Sequence, residues 1–422
     1  MDRLLVTGGR RLEGAVRING AKNSALKLMA AALLAEGHTL IENVPRIMDC
    51  STMGEVLEHL GAGVGWDGTT LMIDTTGRLG IETPYELVRK MRASIVVLGP
   101  LLARFGRARV AMPGGCNIGS RKIDLHLKGF ERMGARFTYE HGYLEAIAPV
   151  LQGAMISLDF PSVGATENIL MAAVGARGRT IIENAAREPE IQDLANVLVE
   201  MGAKIEGAGT TTIEIEGTDA FEPVRHRVIP DRIEAGTFAI AACMTGGEVL
   251  LEDARPDHLE LVMDKLQEAG ATVEVEDGGI RVGLAGRPLA VDFVTLPYPG
   301  FPTDLQPQMM ALLSVARGTS IATENVFESR FMFVDELKRM GADIRTEGHH
   351  AVIRGAEWLS SAPVRALDIR AGAAMIIAAL GADGTTEISD IHHVDRGYQD
   401  LDSRLAALGA ELRREPAVPI PA

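Results

Sequence analysis

Aromatic residues are scarce in this chain, at 4% of 422 residues. Its cores must therefore be built from aliphatic and small side chains packed closely, not from stacked rings. Cysteine is nearly absent: Cys50, Cys116 and Cys243 are too few for a disulfide framework, and their spacing matches no zinc pattern. No apolar run reaches the roughly 18 residues of a membrane span. The most apolar stretch, from Ala93 to Phe105, is broken by Gly99-Pro100. The opening MDRLLVTGGRRLEG has no apolar h-region and does not read as a signal peptide. Cationic residues are in deficit, 42 against 57 acidic ones, for a net charge of −15. That balance argues against nucleic acid as a partner. An anionic ligand would have to be held by a local basic cluster working against the field of the whole molecule. These absences predict a reduced, soluble, cytoplasmic protein.

What the chain has in abundance is repetition. A helix ending in Gly-Ala recurs six times, in EHLGA, ERMGA, VEMGA, QEAGA, KRMGA and AALGA, with glycines at 61, 134, 202, 270, 341 and 409. The period is 68–73 residues, and a left-handed residue just past a helix end accounts for the glycine. A second series, Gly37, Gly106, Gly178, Gly247, Gly318 and Gly384, closes Ala-rich segments that are apolar around most of the helical circumference, such as SALKLMAAALLAEG and AAMIIAALGADG. Helices of that kind are buried. Each unit of about 70 residues thus reads strand, buried helix, strand, outer helix, strand. One such unit cannot cover its own buried helix, so six units predict two domains of three.

The period also locates a site. The buried helices begin at Lys22, Arg92, Ser162, Arg232, Asp304 and Arg370, spaced 66–72 residues apart. Four of the six are cations, where caps favour Ser, Thr, Asp or Asn and the helix dipole opposes positive charge. Cations gathered with helix N-termini in one cleft predict an anionic ligand.

At this point the residues meet a known family. The segments GAKNSALK (20–27), MRASIVVLGP (91–100), PGGCNIGSRKIDLH (113–126), PSVGATENIL (161–170), ENAAREPEI (183–191), PDRIEAGTF (230–238), FPTDLQ (301–306), VFESRFM (326–332) and HVDRGY (393–398) resemble the UDP-N-acetylglucosamine enolpyruvyl transferases. The match is collinear to about Leu412. The sister family acting on shikimate 3-phosphate shares the fold but lacks this Cys loop. The resemblance implies an α/β fold of two inside-out α/β barrels with six repeats, three per domain. One domain would span 22–229 and carry the Cys loop; the other would join 1–21 to 230–422, with hinges near 21–22 and 229–230. It implies transfer of the enolpyruvyl group of phosphoenolpyruvate to the 3′-hydroxyl of UDP-N-acetylglucosamine through a tetrahedral intermediate, with release of phosphate, as the committed step of peptidoglycan synthesis. No cofactor is implied. The partners are the two small-molecule substrates, with no nucleic acid and no membrane, on a monomer or weak oligomer.

The resemblance also carries roles to residues. Cys116, in a loop with three glycines and a proline, would be the general acid, could carry a substrate adduct, and would be the target of fosfomycin; Arg121, Lys122 and Lys22 nearby would lower its thiol pKa. Asp304 would take the proton of the sugar hydroxyl, and could also cap the helix that follows it. Lys22, Arg121, Arg370 and Arg396 would hold phosphoenolpyruvate, whose two anionic groups need several donors. Catalysis thus falls to Cys116, Asp304, Lys22 and Arg396. Asn23 would touch substrate or intermediate. Arg92, Arg121, Lys122, Ile123, Asp124, Leu125, Ser162, Val163, Gly164, Val326 and Phe327 match nucleotide-sugar contacts. Glu188, Arg232, Glu234 and Arg330 would line or organise the cleft, and Glu188 and Arg232 suit a structural ion pair equally well.

Other features are read as structural. Cys50 and Cys243 suit buried inert positions, and His126 a hydrogen-bonding role. His349-His350 and His392-His393 read as strand-end or turn residues, which would point to opposite faces and share no metal ion. Lys122, Val96 and Tyr298 depart from the family's usual residues without removing a catalytic group. The tail EPAVPIPA (415–422) reads as disordered. The same sequence also fits an enolpyruvyl transferase with another acceptor, such as shikimate 3-phosphate, or a catalytically silent paralogue that binds the nucleotide sugar.

Overall fold

The computed structural model describes residues 2–111 and 123–416. The chain divides into two compact units: one lies between Gly20 and Ile229, the other joins the segment up to Asn19 to the segment from Pro230. Each has its own apolar core. They are called the continuous and the split unit below.

Each core is built around three largely buried helices. In the continuous unit these are α1 (Lys22–Ala31), α2 (Leu98–Phe105, entered through a 3-10 turn at Arg92–Val97) and α3 (Val163–Ala173). In the split unit they are α4 (Arg232–Thr245), α5 (Gln306–Leu313, entered through a 3-10 turn at Thr303–Leu305) and α6 (Ile369–Leu380). The small residues on these helices allow the close approach that a chain poor in aromatics requires. A Cβ on Gly99 would stand 2.3 Å from the Asn168 carbonyl oxygen, and one on Gly236 would stand 2.4 Å from Leu305 Cδ1.

The sheets are open, and among the described residues there are three main ones per unit. The pattern is clearest in the third repeat. Arg179–Glu183 lies parallel to Met155–Ser157 on one side and antiparallel to Thr212–Glu216 on the other, which pairs in turn with Lys204–Glu206. Alternate side chains of these strands point into the core, as in the pattern of Arg179–Glu183. The result is a mixed α/β fold with the helices inside.

Two exchanges were not visible in the repeat. Glu13–Arg17, the strand preceding α1, pairs parallel with Glu248–Glu252 of the split unit. Its place beside His38–Glu42 is taken by Arg225–Arg227, at the far end of the continuous unit. The last repeat borrows as well: Asp2–Thr7 lies between Thr385–Ser389 and Glu411–Pro416, antiparallel to both. This pairing corrects the reading of the tail at its start, because Glu415 is opposite Arg3 and receives its guanidinium at 2.9 Å.

The six outer-helix glycines, at 61, 134, 202, 270, 341 and 409, all take positive φ, between 91° and 108°. In the second series Gly247 is the exception, and its neighbour Gly246 is the left-handed residue. No helix among the described residues is long and apolar enough to cross a membrane.

Candidate functional site

In the split unit the N-terminal ends of α4, α5 and α6 bring charged residues together. Two of these ends are capped as helix chemistry favours: Asp231 accepts from Ile233 N and Glu234 N at 2.8 and 3.1 Å, and Asp368 accepts from Arg370 N and Ala371 N at 2.8 and 3.0 Å. The cations predicted as helix starts therefore sit just inside the caps, Arg232 in the first helical position and Arg370 in the second.

Asp304 is the centre of this arrangement. Its Oδ2 accepts from Arg370 Nε and Nη2 at 3.1 and 3.0 Å, and its Oδ1 lies 2.9 Å from Arg330 Nη1. Asp304 does not cap α5, which corrects that part of the expectation: the residue preceding α5 is Leu305, and no side chain caps the helix. Two guanidiniums on one carboxylate favour its charged form. Arg370 is itself buried. Burial alone would lower its pKa, but Tyr398, Asp304 and Asp231 outweigh that and hold it above the usual range. The Arg370 guanidinium lies 5.3 Å from the ring centre of Tyr398, whose hydroxyl bonds Thr237 and Gln308 at 3.0 and 3.2 Å. Tyr398 also hydrogen-bonds Arg370 and helps hold its charge, while Arg370 Nη1 is buried with no partner of good hydrogen-bond geometry among the described residues.

The other predicted residues of this unit differ in burial and in partners. Arg330 is buried, and its guanidinium lies 5.7 Å from the Phe327 ring. Val326 and Phe327 are half-buried, as is Arg396 at the end of a short helix, His392–Asp395. Arg232 lies over the Tyr298 ring at 5.5 Å. Glu234 is a structural anchor: it accepts from Asn19 N at 2.9 Å and pairs with Arg404 at the same distance, at the point where the chain leaves the unit.

In the continuous unit the cations are matched by buried carboxylates. Lys22 Nζ is 2.7 Å from Asp49 Oδ2, both side chains buried. Lys27 Nζ donates to the Asn23 carbonyl at 2.7 Å and lies 3.3 Å from Glu167 Oε2. Glu167 is fully buried. That burial, reinforced by Glu190 and Glu188 and opposed by Lys27, pushes its pKa up to about 7. Glu188 is buried at the start of the helix Pro189–Glu200. Ser162 caps α3 by accepting from Ala165 N at 3.3 Å, which places Val163 and Gly164 in the first turn. Ile123 precedes the helix Asp124–Arg132, with Asp124 exposed and Leu125 half-buried. His126 pairs through Nδ1 with Asn168 Nδ2 at 3.1 Å, a hydrogen-bonding role as expected. Cys116, Arg121, Lys122 and the side chain of Arg92 lie outside the described residues.

One histidine pair needs correction, while His349 in a turn and His350 at the start of the strand His350–Arg354 are as expected. His392 and His393 lie on a helix, not a strand, with ring centres 4.2 Å apart. His349 bonds the Glu324 carbonyl and His350 the Thr323 hydroxyl, each at 2.9 Å. Among the described residues no group of three or more His, Cys, Asp or Glu is placed to hold a metal ion. Cys50 and Cys243 are buried, and burial pushes the Cys243 thiol up to about 12. Sequence reasoning missed Lys27, Glu167, Thr303 and Glu324. No signal in the sequence marked the last two, since Glu324-Asn325 reads like Glu42-Asn43 and Glu183-Asn184.

Comparisons with known proteins bear on the family and the fold. The family model described as EPSP synthase (3-phosphoshikimate 1-carboxyvinyltransferase) matches residues 6–405. A UDP-N-acetylglucosamine 1-carboxyvinyltransferase of Corynebacterium jeikeium is 56% identical over 98% of this chain and 99% of its own length. One of Myxococcus xanthus is 51% identical over 99% and 100%. Among solved structures, the enolpyruvyl transferase NikO from Streptomyces tendae superposes with a TM-score of 0.90 at 29% identity, covering 99% of both chains. An EPSP synthase from Acinetobacter baumannii shares the fold at a TM-score of 0.77 and 19% identity, covering 99% of this chain and 100% of its own.

Proposed function

The chain belongs to the EPSP synthase family of enolpyruvyl transferases, and we propose that it transfers the enolpyruvyl group of phosphoenolpyruvate to the 3′-hydroxyl of UDP-N-acetylglucosamine, releasing phosphate. The observation that carries the acceptor is identity of 51–56% over nearly the whole chain with proteins named for that reaction. The neighbours named for the shikimate enzyme stand at 18–19%.

The reaction needs a base at the acceptor hydroxyl, an acid at the methylene carbon of phosphoenolpyruvate, and cations for its carboxylate and phosphate. Asp304 has the properties of the base. Two guanidiniums favour its charged form, while a quarter of its side chain stays exposed to meet a substrate. As the hydroxyl oxygen attacks C2, its proton passes to Asp304 and the methylene C3 takes a proton from the acid. Elimination then expels phosphate and restores the double bond as C3 loses a proton. Arg370, Arg396, Lys22 and Arg121 are assigned to the anionic groups of phosphoenolpyruvate. Lys22 shares its charge with Asp49, which moderates its pull on the substrate. Cys116 is assigned as the acid. The remaining residues named above as nucleotide-sugar contacts are assigned to the acceptor. We read the enzyme as cytoplasmic, acting as a monomer or weak oligomer on two small molecules in peptidoglycan synthesis.

The test is phosphate release from phosphoenolpyruvate with UDP-N-acetylglucosamine or shikimate 3-phosphate as separate acceptors. Release with the nucleotide sugar alone is expected. Release only with shikimate 3-phosphate would overturn the acceptor, and silence with both, in a protein that binds the UDP-sugar, would make it a binding paralogue. With Cys116→Ser, turnover should fall by roughly 10²-fold or more while calorimetry shows UDP-sugar binding retained; unchanged turnover would remove Cys116 as the acid.

A further inference from the structure

The six-fold repeat supplies an internal control for each position. In five of the six repeats the strand that follows the buried helix ends in a carboxylate or hydroxyl and then an Asn or Asp: Glu42-Asn43, Glu183-Asn184, Glu252-Asp253, Glu324-Asn325 and Ser389-Asp390; the second repeat, with Arg107–Ala111, does not. In four of these pairs the second residue takes left-handed backbone, with φ of 60°, 53°, 65° and 58° at Asn43, Asn184, Asp253 and Asp390. There the first residue faces partly or fully outward; Glu42, for example, meets Arg225. The fifth repeat breaks both rules. Asn325 is not left-handed, and Glu324 is completely buried.

The buried carboxylate is fully used. Glu324 Oε1 accepts from Val326 N at 2.7 Å and Phe327 N at 2.9 Å. Its Oε2 accepts from Thr303 Oγ1 at 2.9 Å. The same Thr303 oxygen accepts from Arg330 Nη1 at 3.0 Å, and that nitrogen lies 2.9 Å from Asp304 Oδ1. A continuous path therefore runs from the Val326–Phe327 amides, through Glu324, Thr303 and Arg330, to the carboxylate of Asp304. A carboxylate with no solvent contact would be costly if its only task were to hold a turn; four other repeats make the turn with a left-handed Asn or Asp.

The geometry points to Glu324 as a positioning residue that couples acceptor recognition at Val326–Phe327 to the orientation of Asp304, with Thr303 as the link. This inference rests on the acceptor reading above. Glu324→Gln keeps the shape but offers only one accepting oxygen, so it cannot serve the loop amides and the Thr303 hydroxyl together. Thr303→Val breaks only the arm toward Arg330 and Asp304, while Thr303→Ser preserves it.

The experiment measures kcat by phosphate release, Kd for UDP-N-acetylglucosamine by calorimetry, and amide exchange across residues 325–330 in the ligand-free protein. Glu324→Gln should raise Kd and lower kcat, each by roughly tenfold, and should speed exchange at Val326 and Phe327. Thr303→Val should lower kcat by roughly tenfold with Kd nearly unchanged, and Thr303→Ser should restore kcat. A purely structural role would lower the melting temperature without this split between kcat and Kd, and that result would overturn the coupling. If the wild type binds no UDP-sugar, the acceptor reading falls. The exchange rates then decide the arm to the loop: faster exchange in Glu324→Gln supports it, and unchanged exchange overturns it.

Discussion

Asp304 and Glu167 are both carboxylates placed among the N-terminal ends of buried helices, one in each unit, and they meet opposite electrostatics. Asp304 has two guanidiniums on one carboxylate. Glu167 has one ammonium, at 3.3 Å, and two further buried carboxylates, Glu188 and Glu190, that add to the burial cost. The first is favoured as an anion, which suits a base; the second is pushed up to about 7. The two hold different positions, Asp304 in the turn before α5 and Glu167 in the second turn of α3, and the charges near each decide which form is favoured.

The comparison breaks most completely at Asp304. Asp304→Asn keeps the shape and one accepting oxygen but removes the charge that would take the hydroxyl proton. Turnover should fall by about 10²–10⁴-fold, with binding of UDP-N-acetylglucosamine changed far less in calorimetry. Phosphate release at the wild-type rate would take the role of base away from this residue. The variant also leaves Arg330 and Arg370 facing a neutral amide, so a lower melting temperature is expected beside the kinetic loss.

Glu167 gives a smaller effect, on stability. Its folded pKa of about 7 stands above its ordinary value of 4.5. Between those values the native protein holds a proton that the unfolded chain releases, so stability falls as pH rises through this window and levels off above it. The difference corresponds to roughly 3 kcal/mol at most. Denaturant unfolding of the wild type from pH 4.5 to 7.5 should contain this downward slope, and Glu167→Gln should flatten it. An equal slope in both proteins would show that Lys27 compensates Glu167 fully.

Much of this arrangement was legible in the chain. The outer-helix glycines announced the repeat because positive φ excludes most other residues, and the structure gives all six that backbone. The cations at helix starts announced the site because they oppose the helix dipole. The exchange of Glu13–Arg17 for Arg225–Arg227 was not legible in the repeat, and only the family resemblance implied it by joining 1–21 to 230–422. Both strands have the alternation of their repeat, and only the crossing of the chain between units decides which sheet each joins. Nor was the burial of Glu324, since Glu-Asn after an apolar strand reads the same in HTLIEN, RTIIEN and SIATEN. His392-His393 misled because a four-residue helix gives no periodicity to recognise.

The smallest effect sharpens the contrast among repeats. Asn184 holds a left-handed backbone, φ 53°, and its Nδ2 donates to the Leu158 carbonyl at 2.8 Å, tying the edge strand to its neighbour. Asn43 does the same to Val228 at 3.1 Å. Alanine at Asn184 loses that hydrogen bond and strains the backbone, together roughly 2 kcal/mol. Asn325 occupies the same place in the fifth repeat but is exposed and outside the left-handed region, and its backbone N–H donates to Thr295 Oγ1 at 3.0 Å, a bond that alanine keeps. Asn325→Ala should therefore change stability by no more than about 0.5 kcal/mol. Denaturant midpoints of the two variants measure the difference. Equal losses would mean that the fifth repeat uses its Asn as the others do, and that the buried Glu324 is a local packing detail rather than a departure made for the site.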